Sequence, residues 1–337
     1  MYLSFELSKE HKGLAAAEIK ACIQAERLPF NLIKQTPDIV IIETNQATKI
    51  LSLLSHRLSQ TFCINQHYFS CPVDTTVLQK KAKKHSLSRE GSVAVNYRNR
   101  SEELSSKHIV KTLADVYTKQ RTVCLTNPDI EIRVIITDEK LYVGHLLTTI
   151  NRSQFQKRKA HHRPFFSPIS LHPSLARLLV NLSRVHRNGL LLDPFCGTGG
   201  ILIEAALINV NIIGSDIEEK MIKGTKKNLT HFNLSYQCLF TSDIGSLKDN
   251  IRRPVDAVVT DFPYGKATST KGEDISFLYK RAFQQIAAVL KKEGYAIIGL
   301  PQKTFGSLAE KYLSIAQYYP IRVHQSLTRH FFVYKKK

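Results

Sequence analysis

The sequence predicts an α/β chain of several modules that ends in a doubly wound, Rossmann-like parallel sheet. Three observations carry this. The order βαββαβ runs over residues 2–69, strand and helix alternate from Pro173 onward, and a glycine-rich string from Asp193 to Gly200 closes a buried strand. At 337 residues and 43% apolar content, the chain can build two or three packed units.

Residues 2–7 (YLSFEL) alternate as a strand does, and residues 13–28 space Ala, Ile and Leu as an amphipathic helix does. Short strands at 30–35 and 38–44 flank the turn at Pro37. A helix over 46–58 and a strand over 61–69 complete a ferredoxin-like split βαβ module, bounded at residues 1–70. A second, smaller α/β module is expected over 71–150, with helices at 74–88 and 103–119 and strands at 91–98, 130–136 and 140–147. Residues 151–166 read as a basic linker, because Asn151 to Arg163 contain five Lys or Arg, two His and no acid. The third module, 167–337, opens on a helix from Pro173. Its strands are expected at 189–193, 210–215, 236–241, 255–260 and 294–300, with a last pair between 317 and 334.

The formal charge is +20 and the isoelectric point is near 9.7. About ten net positive charges lie before Phe165 and about ten from it onward, which suits a long polyanion lying across several modules better than a sticky tail. Nucleic acid is therefore the expected partner. Candidate phosphate contacts are Lys80, Lys81, Lys83 and Lys84 in the helix at 74–88, Arg152, Lys157, Arg158, Lys159 and Arg163 in the basic stretch, and Lys266. Six cysteines occur without a CxxC pair, so no metal site and no disulfide framework is expected, and a reducing cytoplasm fits. No apolar run reaches the length of a signal peptide or a membrane span, so no membrane is expected as a partner.

The string LLLDPFCGTGGILIEA from Leu190 is a buried strand, a tight turn and a helix, which places the turn at the carboxyl edge of the sheet. Gly197, Gly199 and Gly200 allow a ligand to approach the backbone, flanked by Phe195, Cys196 and Thr198. Asp193 at the strand end can accept from an ammonium group. Asp216, followed by Ile217, can take both ribose hydroxyls, and Asp243, followed by Ile244, can accept from an adenine amino group. A dinucleotide site also uses a glycine turn and a later acid. Here, however, Leu202 stands where the third glycine of that fingerprint belongs, and a carboxylate at 193 repels a pyrophosphate. S-adenosylmethionine is the cofactor this pattern favours.

Asp261-Phe262-Pro263-Tyr264-Gly265 closes the fourth strand of the series. An aromatic amine is a poor nucleophile because its lone pair is delocalised into the ring. The Asp261 carboxylate and the carbonyl of Phe262 can accept from its two N–H groups as charge develops, Pro263 fixes the turn, and Tyr264 offers a flat face to a base. Cytosine C5 chemistry needs a nucleophilic Cys, commonly in a Pro-Cys pair, and the chain has none. Methylation of guanine N2 or adenine N6 on another RNA or DNA stays open, as does a non-catalytic RNA-binding role.

At these residues the chain resembles the archaeal tRNA (guanine(10)-N2)-methyltransferase family. The resemblance covers essentially the whole chain and rests on RPFFSPISLHPSLARLLVNL (163–182), DPFCGTGGILIEA (193–205), GSDIEEKMIKGTKKNL (214–229), TDFPYG (260–265) and VHQSLTRHFFVY (323–334). It implies a class I methyltransferase domain behind ferredoxin-like and THUMP domains. It also implies tRNA recognition through the THUMP domain, methylation of guanosine 10, and a small zinc-binding activator subunit as a partner. Carried over, Asp193, Gly197, Gly199, Asp216 and Asp243 line the cofactor, and Asp261 to Tyr264 hold the guanine amine. The family's usual DPPYG has Pro where this chain has Phe262, and Lys266 stands where Arg is frequent.

Overall fold

A computed structural model describes the chain except for residues 12, 88, 168–169, 265–272 and 325–326. Lys266 and Gly265 therefore lie outside the described residues. The chain forms two compact units. The first comprises Met1–Ala16, Leu28–Ser55 and Thr61–Asn151; the second comprises Ala17–Arg27, His56–Gln60 and Arg152–Lys337.

The N-terminal elements are β1 (Tyr2–Leu7), α1 (Leu14–Ala25), β2 (Asn31–Gln35), β3 (Ile39–Glu43), α2 (Ala47–Arg57), β4 (Thr61–Pro72), α3 (Thr75–Lys84), β5 (Val93–Asn99), α4 (Ser106–Tyr117), β6 (Ile130–Ile136) and β7 (Lys140–Thr149). Their strands make one sheet in the order β2-β3-β1-β4-β7-β6-β5. The boundary expected after residue 70 falls inside β4, a strand of 12 residues that pairs with β1 and, out to Pro72, with β7. Pro72 reads as a break in the sequence but is the last residue of the strand, where a missing N–H interrupts no ladder.

Helix ends also follow local chemistry. Asp74 caps α3 by accepting from the Val77 N–H at 2.8 Å, and Ser105 caps α4, which starts three residues later than the periodicity suggests. Helix α3 stops at Lys84, short of the expected 88, with His85 Nδ1 3.0 Å from the Lys81 carbonyl.

The second unit continues with α5 (Gln154–Lys157), α6 (Pro173–Leu182), β8 (Leu190–Asp193), α7 (Gly200–Ala206), β9 (Asn211–Asp216), α8 (Glu219–His231), β10 (Cys238–Thr241), α9 (Leu247–Asn250), β11 (Val255–Asp261), α10 (Ile275–Val289), β12 (Leu290–Leu300), β13 (Leu313–His324) and β14 (Leu327–Lys336). The sheet order is β10-β9-β8-β11-β12-β14-β13. Pairing is parallel from β10 to β12 and antiparallel at β14 and β13, so the last two expected strands are a hairpin added to the parallel core. Strand order reverses between β8 and β11, which opens a crevice at their carboxyl ends. The core beneath packs Tyr279, Ala282, Phe283 and Ile286 of α10 against Leu192, Val258, Ala296, Ile298 and Tyr334.

Residues 151–166 are not a solvated linker. Phe155 is buried at 1% exposure, and Arg158 is 8% exposed with its Nε 2.7 Å from Glu204 of α7. Arg177 of α6 meets the other Glu204 oxygen at 2.9 Å. Composition shows the basic run but not the buried acid that neutralises it. Among the described residues, no helix is long and apolar enough to cross a membrane.

Glu204 therefore compensates two arginines inside unit two. Glu204→Gln removes the carboxylate that both cations share, and chemical denaturation is expected to show a loss of about 3–5 kcal/mol. A change within about 0.5 kcal/mol contradicts this reading of the network.

Candidate active site

The turn from β8 to α7 is built on two left-handed glycines, Gly197 at φ 51° and Gly199 at φ 79°. They serve different ends. A Cβ on Gly197 would meet nothing within 4 Å, whereas one on Gly199 would lie 2.8 Å from the Thr225 side chain. Gly197 thus leaves ligand space, and Gly199 allows α8 to pack closely. Thr225 then donates to the Gly197 carbonyl at 2.7 Å, and Asn228 donates to the carbonyls of Thr198 and Phe165, fastening the turn and the segment after Arg163 to α8.

One cavity of about 720 Å³ gathers most of the expected residues: Asp193, Phe195, Cys196, Gly197, Thr198, Gly200, Asp216, Ile217, Asp243, Ile244, Asp261, Phe262, Pro263 and Tyr264. Gly199 is not among its walls. Residues that the sequence reading missed complete it, among them Ser167, Ser170, Leu171, Met221, Glu273, Leu278 and Arg329.

Four aspartates face this space with different partners. Asp193 is 1% exposed and accepts from the Phe195 N–H at 3.2 Å. Burial pushes its pKa up to about 7 against the hydrogen bond from the Phe195 N–H, with Asp216 and Asp261 adding repulsion. Asp216 accepts from the N–H groups of Gly197 at 2.9 Å and Glu218 at 3.0 Å, and burial raises its pKa too. Asp243 is held low by the hydrogen bond from Arg281, whose Nη1 is 2.6 Å away and whose Nη2 reaches Glu273 at 2.6 Å. Asp261 ends β11. Its Oδ1 accepts from the Tyr264 hydroxyl at 2.8 Å and its Oδ2 lies 3.3 Å from Arg329 Nη1; burial raises its pKa against these two partners.

Phe262 is 2% exposed and packs edge-on to Phe195 at 5.1 Å, with Tyr279 and Phe283 at 4.9 and 5.3 Å. The ring anchors the loop from below in place of the restriction a proline would supply. Its N–H donates to the Gly299 carbonyl at 3.0 Å, and the Pro263 carbonyl accepts from the Tyr279 hydroxyl at 2.7 Å.

The expected phosphate contacts divide. Lys80, Lys83, Lys84 and Lys157 are exposed, Lys159 and Arg152 are half-buried, and Lys81 donates to the Ser70 carbonyl at 2.8 Å. Arg158 and Arg163 are turned inward instead: Arg158 pairs with Glu204, and Arg163 is 4% exposed, with its Nε donating to the Arg158 carbonyl at 2.9 Å.

This geometry fits S-adenosylmethionine. The buried Asp193, with no cation opposite it among its contacts, suits an ammonium group; Asp216 retains lone pairs for a ribose diol; Ile217 and Ile244 offer apolar surface to a flat ring.

Comparison with known proteins agrees. Residues 160–330 match a family described as RMKL-like, methyltransferase domain, and residues 32–227 match one described as DNA methylase. The chain is 33% identical over 328 residues to a tRNA (guanine(10)-N2)-dimethyltransferase of Methanothermobacter thermautotrophicus, covering 96% of each. It is 37% identical over 236 residues to the enzyme of that name from Pyrococcus abyssi, covering 67% of this chain and 69% of that one. TrmN from Thermus thermophilus shares the fold over 100% of both chains, with a TM-score of 0.58 at 18% identity.

Asp193 gives this site a pH signature. Its folded pKa, about 7, lies above the ordinary carboxylate value. Its contribution to stability is thus fully present below about pH 4 and is lost as pH rises toward 7. The melting temperature of ligand-free Asp193→Asn should gain on that of the unsubstituted chain between pH 5 and about 7.5. A constant difference across that window contradicts the assignment.

Proposed function

The chain belongs to the tRNA (guanine(10)-N2)-dimethyltransferase family, and from that premise we propose that it methylates the exocyclic N2 amine of guanosine 10 in tRNA, using S-adenosylmethionine. The observation that carries the chemistry is the placement of Asp261. It ends the strand next to β8 and lines the same cavity as Asp193, Gly197 and Asp216.

S-adenosylmethionine supplies, when bound, an electrophilic methyl group on a sulfonium. Asp193 would hold its amino group, Asp216 its ribose, and Asp243 with Ile217 and Ile244 its adenine.

The chain's own part in the transfer is to make the amine electron-rich. Asp261 accepts from one N–H and the Phe262 carbonyl from the other, so positive charge on nitrogen is stabilised as it forms. The Phe262 ring and the hydrogen bond from Tyr279 to the Pro263 carbonyl hold this loop in shape, so the acceptors are arranged before the base arrives. Asp261 also takes the proton released afterward, a task its raised pKa suits. Tyr264, on the same cavity wall, would offer a flat face to the flipped base.

The polyanionic partner is tRNA. Exposed Lys80, Lys83, Lys84 and Lys157 serve as phosphate contacts, whereas Arg158 and Arg163 act inside unit two. The small zinc-binding activator is a further partner that the resemblance proposes, and the location proposed is the cytoplasm.

The test is incubation of the purified chain with methyl-labelled cofactor and unmodified tRNA transcripts, followed by nucleoside mapping. N2-methylated or N2-dimethylated guanosine at position 10 is expected. Asp261→Ala should lower kcat about a hundredfold or more, the cost of losing one preorganised electrostatic partner. Label at another nucleotide, or near-normal turnover in the variant, rejects the assignment.

A further inference from the structure

We propose that Arg329, on the antiparallel strand β14, is a positioning residue for the transfer: it keeps the Asp261 carboxylate in its acceptor form and braces Tyr264 beside it. The proposal rests on the amine-methylation reading above and adds the group that makes Asp261 usable.

Arg329 is 5% exposed and lines the cavity. Its Nη1 is 3.3 Å from Asp261 Oδ2, and its guanidinium lies 5.5 Å from the centre of the Tyr264 ring. The Tyr264 hydroxyl takes Asp261 Oδ1 at 2.8 Å. Both carboxylate oxygens are therefore held, by two side chains that also face each other, in a closed triangle of three residues.

Strand pairing explains how an arginine so late in the chain reaches this point. Asp261 is paired with Gly299 of β12, and Gly299 with Phe331 of β14. Arg329, two positions from Phe331, projects from the same face of the strand. Gly299 keeps the passage clear: a Cβ there would stand 2.3 Å from Asp261 Oδ1 and 2.8 Å from the Phe331 ring.

The chemistry needs this cation. A protonated carboxyl donates from one oxygen and cannot serve the amine as a full acceptor. Burial favours protonation of Asp261, and Asp193 on β8 and the neutral phenol of Tyr279 on α10 share its surroundings. Among the described residues, the cation that opposes this protonation is Arg329. Its Nε has no hydrogen-bond partner among those residues, so its interactions with Asp261 and Tyr264 are what offset its burial.

The experiment compares Arg329→Gln and Arg329→Lys with the unsubstituted full-length chain, each first shown to melt cooperatively. Turnover and KM for a tRNA transcript are measured across pH 5.5 to about 9. In parallel, ¹³C-carboxyl NMR of aspartate-labelled, ligand-free protein follows the Asp261 titration, identified by its loss in Asp261→Asn. Arg329→Gln should lower kcat by about tenfold at pH 7 while changing KM by less than about twofold. The acid limb of its rate profile and the Asp261 titration should both move to higher pH, and Lys should restore part of the rate. Loss of rate by one factor at every pH, or an unmoved Asp261 titration, overturns the proposal. If the unsubstituted chain fails to methylate the transcript, the functional reading fails, and the NMR titration still decides whether Arg329 holds Asp261 ionised.

Discussion

Carboxylates crowded at one edge of a parallel sheet repel one another, and each must be protonated, hydrogen-bonded or paired with a cation. The four aspartates of the cavity are held by different partners. Backbone N–H groups hold Asp216, Arg281 holds Asp243, and Tyr264 with Arg329 holds Asp261. Asp193 and Asp216 have no cation in their contacts, and Asp193 is the most deeply buried of the four. That difference divides the cavity into a place for a bound cation and a place where an acceptor is fixed in advance.

Helices and turns around the cavity follow from the same requirement. The close seat of α8 on Gly199 draws the turn tight, and the Glu204 network ties α7 to α6 and to the segment carrying Arg158. Glu18 extends this framework within unit two: its carboxylate accepts from Ser59, Gln60 and Asn181, while Asn181 in turn accepts from Arg57. Buried ion pairs are weak sources of net stability but strong sources of geometry, since any other packing leaves a charge exposed to apolar surroundings. A turn that must present a ligand at one location benefits from that rigidity.

The parallel core and the acids at its strand ends were legible because a strand followed by Asp-Pro-Phe-Cys-Gly is a local signal. So was Asp261, for its motif directly follows a run of buried β-branched residues. The partners of those acids were not legible. Arg281 lies 38 residues after Asp243, and Arg329 reaches Asp261 only through the pairing of β11, β12 and β14, which no periodicity reveals. The basic stretch at 151–163 misled for a related reason. A run of cations looks solvated until a distant Glu204 is found inside the fold. Likewise the module boundary expected after residue 70 falls within β4, which runs on to Pro72 in its pairing with β7.

The proposed reaction depends on direct contact between Asp261 and the amine of the target base. A two-by-two binding comparison addresses that contact most directly: tRNA transcripts carrying guanosine or inosine at position 10, against the unsubstituted chain and Asp261→Ala. Inosine differs from guanosine by the missing amine alone. The unsubstituted chain is expected to prefer guanosine, and the preference to collapse in the variant, a coupling of about 1–3 kcal/mol. A guanosine preference of equal size in both proteins would contradict it.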